Sequence, residues 1–69
     1  MNTIEVQVNG HSVHLEVARA SLSEAAQQVN ALEPYATLVN QEFIPASERA
    51  SVTLSQGDVV EILGAIQGG

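Results

Sequence analysis

The chain contains no cysteine, no tryptophan and no lysine, and its aromatic residues are one phenylalanine and one tyrosine. Each gap removes a class of protein. Without cysteine there is no disulfide framework, no thiolate metal site and no thiol nucleophile. With Arg19 and Arg49 as the only permanent cations, there is too little positive charge to neutralise a phosphate backbone. The formal charge of -6 also sets the chain against an anionic membrane surface and favours a partner that offers a basic face. No apolar run approaches the ~20 residues of a membrane span, and the N-terminal stretch lacks the basic and apolar segments of a secretory signal. The expectation is a cytoplasmic protein with neither nucleic acid nor membrane among its partners.

What is present fits one small domain. A 69-residue chain hides only about 60% of its unfolded surface, and its core has to come from Val, Leu, Ile and Ala. Thr3–Val8 alternates, with Ile4, Val6 and Val8 on one face. The stretch 12–17 alternates again, with Val13, Leu15 and Val17 inward. Between them Asn9-Gly10 suits the positive backbone angles of a tight hairpin turn. The period then changes. Leu22, Ala25, Ala26, Val29 and Leu32 fall at helical spacing, Ser21 with Glu24 fits a capping box, and Pro34 disfavours helical geometry at Glu33. These signals predict a helix over about 22–32. "YATLV" reads as a short strand, "EFI" as an edge strand cut short by Pro45, "ASERA" as a helical turn and "VTL" as a brief extended piece. In the last strand, "VVEIL", Val60 and Ile62 share one face while Val59, Glu61 and Leu63 share the other. Apolar residues on both faces indicate a central position. Placed beside the first strand, it runs parallel to it. The resulting fold class is α+β: a β-grasp, or ubiquitin-like, mixed sheet of four to five strands packed on one helix. It comprises a domain over 1–63 and a flexible Gly-Gly tail over 64–69.

Few side chains form a recognisable catalytic constellation. His11 and His14, with Glu16 on the same outward face as His14, lack a third ligand at recognisable spacing, so a solvated strand face accounts for them better than a metal. Ser, His and Asp all occur, yet there is no Gly-x-Ser-x-Gly elbow and a domain this small offers little cleft. The carboxylates are scattered and read as solvated surface. No catalytic residue and no metal site are expected. The exposed apolar pair Val59 and Leu63 reads equally well as loop-covered surface or as a docking patch.

The tail "GAIQGG" carries the most chemistry. Chain ends fray unless tied down. This one has no charge, ends in Gly68-Gly69, and if extended reaches about 20 Å. It could thread a narrow channel and present an unhindered carboxylate to another protein's active site. Such a carboxylate can be activated with ATP to an acyl-adenylate, and a sulfur nucleophile can then displace AMP to leave a thiocarboxylate.

"VNG" at the first turn, "LVNQEFIP" in the middle, "QGDVVEIL" before the tail and the terminal Gly-Gly together resemble the ThiS sulfur carriers of the wider ThiS/MoaD group. The resemblance covers essentially the whole chain. It implies a protein co-substrate rather than an enzyme, one that binds no cofactor itself. A ThiF-type adenylating enzyme would use ATP to activate Gly69, sulfur-delivery proteins would supply the sulfur, and the thiazole synthase ThiG would take it into the thiazole of thiamin. Gly68 completes the motif, and Val59, Leu63 and Ile66 are candidate partner contacts. The alternatives are a carrier for molybdopterin or cysteine synthesis, or a β-grasp interaction module with no chemistry at its end. Two positions depart from the family pattern: Gln41 stands where a glycine is common, and Ala46 where a basic residue is common, with Arg49 the nearest cation.

Overall fold

The computed structural model describes residues 2–66, with side chains through Gly64. Five strands form one sheet in the order β2-β1-β5-β3-β4. They are β1 (Thr3–Val8), β2 (His11–Glu16), β3 (Ala31–Val39), β4 (Glu42–Ile44) and β5 (Val59–Ile66). One helix, α1 (Leu22–Gln28), lies between β2 and β3 in sequence, and 3-10 segments cover Val17–Arg19 and Ala46–Ser51. The neighbour pairs β1–β2, β3–β4 and β3–β5 are antiparallel, and β1–β5 is parallel. This is the β-grasp arrangement, with β5 central.

The core follows the alternation of the strands. Val6 and Val8 of β1, Leu15 of β2, and Val60 and Ile62 of β5 are buried against Leu22, Ala25 and Ala26 of α1, and Leu54 fills the remaining space. Ser21 caps the start of the helix: the Glu24 amide donates to the Ser21 hydroxyl at 3.0 Å. With aliphatic and alanine side chains dominating its buried positions, the core depends on shape fit, where loss of even a few methylenes is felt.

Three local expectations need correction. The helix ends at Gln28, well before 32. Asn30 adopts the left-handed conformation, with φ at 57°, which asparagine tolerates and which terminates a helix. Leu32 therefore lies in β3 and is exposed, and Pro34, preceded by a cis peptide bond, sits inside the strand rather than stopping the helix. Val17 does not continue the inward row of β2. Its amide bonds to the Asn2 carbonyl at 3.0 Å as the chain turns into the 3-10 segment, leaving it half exposed.

The third correction bears on function. β5 continues past Leu63. Gly64 pairs with Tyr35, Ala65 with Leu32 and Ile66 with Ala31, across a register shift between Leu32 and Tyr35. The last strand, expected over 59–63, thus runs through Ile66.

Candidate functional site

The expected reactive end, Gly68-Gly69, lies outside the described residues, and so does the side chain of Ile66. The structure does define the strand that leads to that end and the surface beside it.

Asparagines from two turns hold β5 in place. In the first hairpin turn, Asn9 has φ at 51°. Its Oδ1 accepts from the Ile62 amide at 2.8 Å, and its Nδ2 donates to the Ile62 carbonyl at 3.0 Å. One carboxamide thereby pairs with β5 just where β1 ends. In the β3–β4 turn, Asn40 Oδ1 accepts from the Val59 amide at 2.9 Å, and the Asn40 amide donates to the Val59 carbonyl at 2.7 Å. The sequence marked Asn9, with Gly10, as a turn former. The pairing of both asparagines with a strand some twenty and fifty positions away leaves no local signal.

The register puts the outward residues of three strands side by side. Leu63 lies opposite Ala36, Leu38 lies opposite Glu61 on one side and Phe43 on the other, and Val59 lies opposite Gln7. Val59, Leu63 and Phe43 are 45%, 57% and 60% exposed. The β5–β3–β4 half of the outer sheet face is therefore apolar, interrupted by Glu61. The β1–β2 half carries Glu5 and Ser12, which are hydrogen-bonded to one another. So Val59 and Leu63 share one exposed surface, and no described loop covers them. Phe43 was not anticipated as part of it. The available signal was the alternation in "EFI": Ile44 turns inward beside Thr37, so Phe43 must turn outward.

Arg49 is not a surface cation. It is 5% exposed. Its Nε donates to the Thr37 hydroxyl at 3.3 Å, Nη1 to Glu33 Oε2 at 3.0 Å and Nη2 to the Tyr35 carbonyl. Its guanidinium carbon lies 4.0 Å from the centre of the Tyr35 ring, a cation–π distance. Arg19 is then the one exposed arginine on a chain with eight carboxylates, so the solvent-facing surface is more acidic than the overall composition suggests.

The remaining candidates do not assemble into a site. Asp58 serves its own turn, accepting from the Ser55 amide at 2.8 Å and from Asn40 Nδ2 at 3.0 Å. His14 and Glu16 border a shallow polar hollow with Thr3, Arg19, Glu24 and Gln28, where the guanidinium disfavours a bound cation. Among the described residues no group of three or more His, Cys, Asp or Glu is placed to hold a metal, and no helix is long and apolar enough to cross a membrane.

Comparison with known proteins supplies the context for this geometry. The sequence profile of the ThiS family matches residues 2–69. No individually curated protein matches the chain. The fold is similar to the crystal structure of a thiamine biosynthesis protein (ThiS) from Geobacter metallireducens. The TM-score is 0.72 at 22% sequence identity, covering 96% of this chain and 100% of that one.

Proposed function

The chain belongs to the ThiS family of small sulfur carriers, and from that premise we propose that the carboxylate of Gly69 is its working group in thiamin biosynthesis. The observation that carries the proposal is the extent of the family match, which runs through residue 69 and so takes in the terminal Gly68-Gly69 pair.

The chemistry proceeds in two balanced steps. A Gly69 carboxylate oxygen attacks the α-phosphorus of ATP, the bond to the β-phosphate breaks, and pyrophosphate leaves. A sulfur nucleophile at the sulfide level then attacks the acyl-adenylate carbonyl, and AMP departs with the electron pair of the broken carbon–oxygen bond. The product is a thiocarboxylate, whose sulfur passes to the thiazole-forming acceptor, ThiG in this family. A thioacid anion is a nucleophile in its own right, which agrees with a chain that has no cysteine.

This chain contributes the terminal glycines, whose small size suits a narrow catalytic channel, and a body that docks. Val59, Leu63 and Phe43 supply the apolar contact, together with Ile66 by its place at the end of β5. The acidic surface favours encounter with a basic face on a ThiF-type adenylating enzyme. The chain binds no cofactor in this scheme; ATP is held by the partner, and the pathway runs in the cytoplasm. The test is pyrophosphate exchange into ATP catalysed by the adenylating enzyme. Exchange is expected with the full chain and not after deletion of Gly69. Equal exchange by the truncated chain would show that its terminal carboxylate is not the group activated.

A further inference from the structure

Just past Leu63 of the apolar face, β5 runs through a tight junction with β3. At Gly64, β5 passes unusually close to β3. A Cβ there would sit 2.9 Å from the Pro34 carbonyl oxygen, 2.9 Å from Tyr35 Cβ and 3.1 Å from Tyr35 Cα. Two of these three atoms are backbone and the third is fixed directly to it, so a side chain cannot be accommodated by rotating a flexible neighbour away. The contact occurs where the β3–β5 register shifts between Leu32 and Tyr35.

The same stretch of β3 is gripped from the 3-10 segment by Arg49. One guanidinium reaches Glu33, Tyr35 and Thr37, spanning the register shift. The planar fork suits several partners at fixed angles in a way an ammonium does not. The Thr37 hydroxyl passes the restraint on to β4, donating to the Ile44 carbonyl at 2.9 Å. Along β5 the two flanks differ. The β1 ladder reaches β5 only at Val59 and Val60, and Asn9 adds contacts at Ile62. From Gly64 to Ile66, the described strand pairing is with β3.

We propose that Arg49 and Gly64 are positioning residues for the reaction at Gly69. Arg49 fixes the shifted segment of β3, and the close fit of Gly64 against that segment sets the direction in which β5 leaves the sheet. The inference rests on the carrier reading above. Its force comes from length. Gln67, Gly68 and Gly69 together can span at most about 10 Å, half the reach of an arm that starts after Leu63. A long arm forgives an error in its point of departure, whereas a short one transmits the error to the carboxylate. A misplacement of about 1 Å at a reacting group can cost on the order of 100-fold in rate.

The experiment compares full-length wild type, Gly64→Ala, Arg49→Lys, Glu33→Gln and a core control, Val8→Ala. Each is checked for folding by circular dichroism and thermal melting, then titrated as substrate in pyrophosphate exchange with the adenylating enzyme. Docking through the outer face is intact in all of them, so KM stays within about 2-fold of wild type while kcat falls by about 10-fold or more in Gly64→Ala and Arg49→Lys. Glu33→Gln, which removes only the charge of a solvent-exposed partner, falls a few-fold. Val8→Ala lowers the melting temperature and leaves kcat unchanged, which separates placement from stability. Should Gly64→Ala not fold, Arg49→Lys and Glu33→Gln carry the same test. The proposal is overturned if kcat in the folded junction variants equals wild type, or if kcat follows melting temperature across the set including Val8→Ala. Absence of exchange with wild type itself would instead refute the carrier reading on which the proposal rests.

Discussion

Asn9 and Ile62, more than fifty residues apart, are paired as two strand residues would be: the amide of Ile62 donates to Asn9 Oδ1 at 2.8 Å, and Asn9 Nδ2 donates to the Ile62 carbonyl at 3.0 Å. A side chain here completes a ladder that the backbone of β1 has left. The turn and the pairing can be separated by mutation. Asn9→Gly keeps the positive φ and removes the carboxamide. It is expected to destabilise the fold by about 1–2 kcal/mol, the worth of two hydrogen bonds to buried backbone, and to lower Tm by about 4–8 °C for each kcal/mol. A melting curve unchanged from wild type would mean that the turn conformation alone explains the asparagine.

The second hairpin turn makes the opposite prediction. Asn40 and Gln41 both have positive φ, at 50° and 72°, and a glutamine gains nothing from that region. Left-handed backbone costs a residue with a Cβ roughly 1–2 kcal/mol, of which glycine gives back about 0.5–1 through its freer unfolded state. Gln41→Gly is therefore expected to raise stability by up to about 1 kcal/mol, read as a higher denaturant midpoint at constant slope. A lowered midpoint would show that the Gln41 side chain makes a contribution larger than the backbone strain.

Arg49 gives a third expectation. Arg49→Met keeps most of the buried stem and removes the charge, leaving the Tyr35 carbonyl without this donor and the Tyr35 ring without its cation. The loss expected is about 1–3 kcal/mol. Because Glu33 is 67% exposed, the ion pair itself contributes little. Thermal melts of wild type at low and high salt should accordingly differ far less than wild type and Arg49→Met do. A salt effect as large as the mutation would reassign the stabilisation to the ion pair.

These cases show what the sequence could and could not disclose. The first hairpin and the inward rows of β1 and β5 were legible because alternation is a local property and the core face is continuous. The end of the helix was not. Val29 and Leu32 prolong the helical spacing, while the chain is turned by the left-handed Asn30 and captured by β5, a partner over thirty residues away. Nothing local in "ASERA" marks Arg49 as buried, since only the assembled fold brings Glu33, Tyr35 and Thr37 around it. On the outer face, the exposure of Val59 and Leu63 was legible from apolar residues on both faces of one strand. Phe43 required the register with Leu38.

The outer face yields a prediction about binding rather than folding. Leu63→Asp and Phe43→Asp replace exposed side chains, so their stability should stay within about 0.5 kcal/mol of wild type. If the face docks the adenylating enzyme, each raises Kd by about 10-fold or more, as loss of a central apolar contact does. Titration calorimetry with the enzyme and no ATP measures this directly. Unchanged Kd in both variants would move the docking surface elsewhere on the molecule.

The carrier chemistry itself is tested most directly by the intact mass of the protein after incubation with ATP, a ThiF-type adenylating enzyme and a sulfide-level sulfur source. Carrier chemistry predicts the mass change of one oxygen replaced by one sulfur, localised by fragmentation to Gly69 and dependent on ATP. An unmodified Gly69, with the same enzyme active on another member of the family, would contradict it.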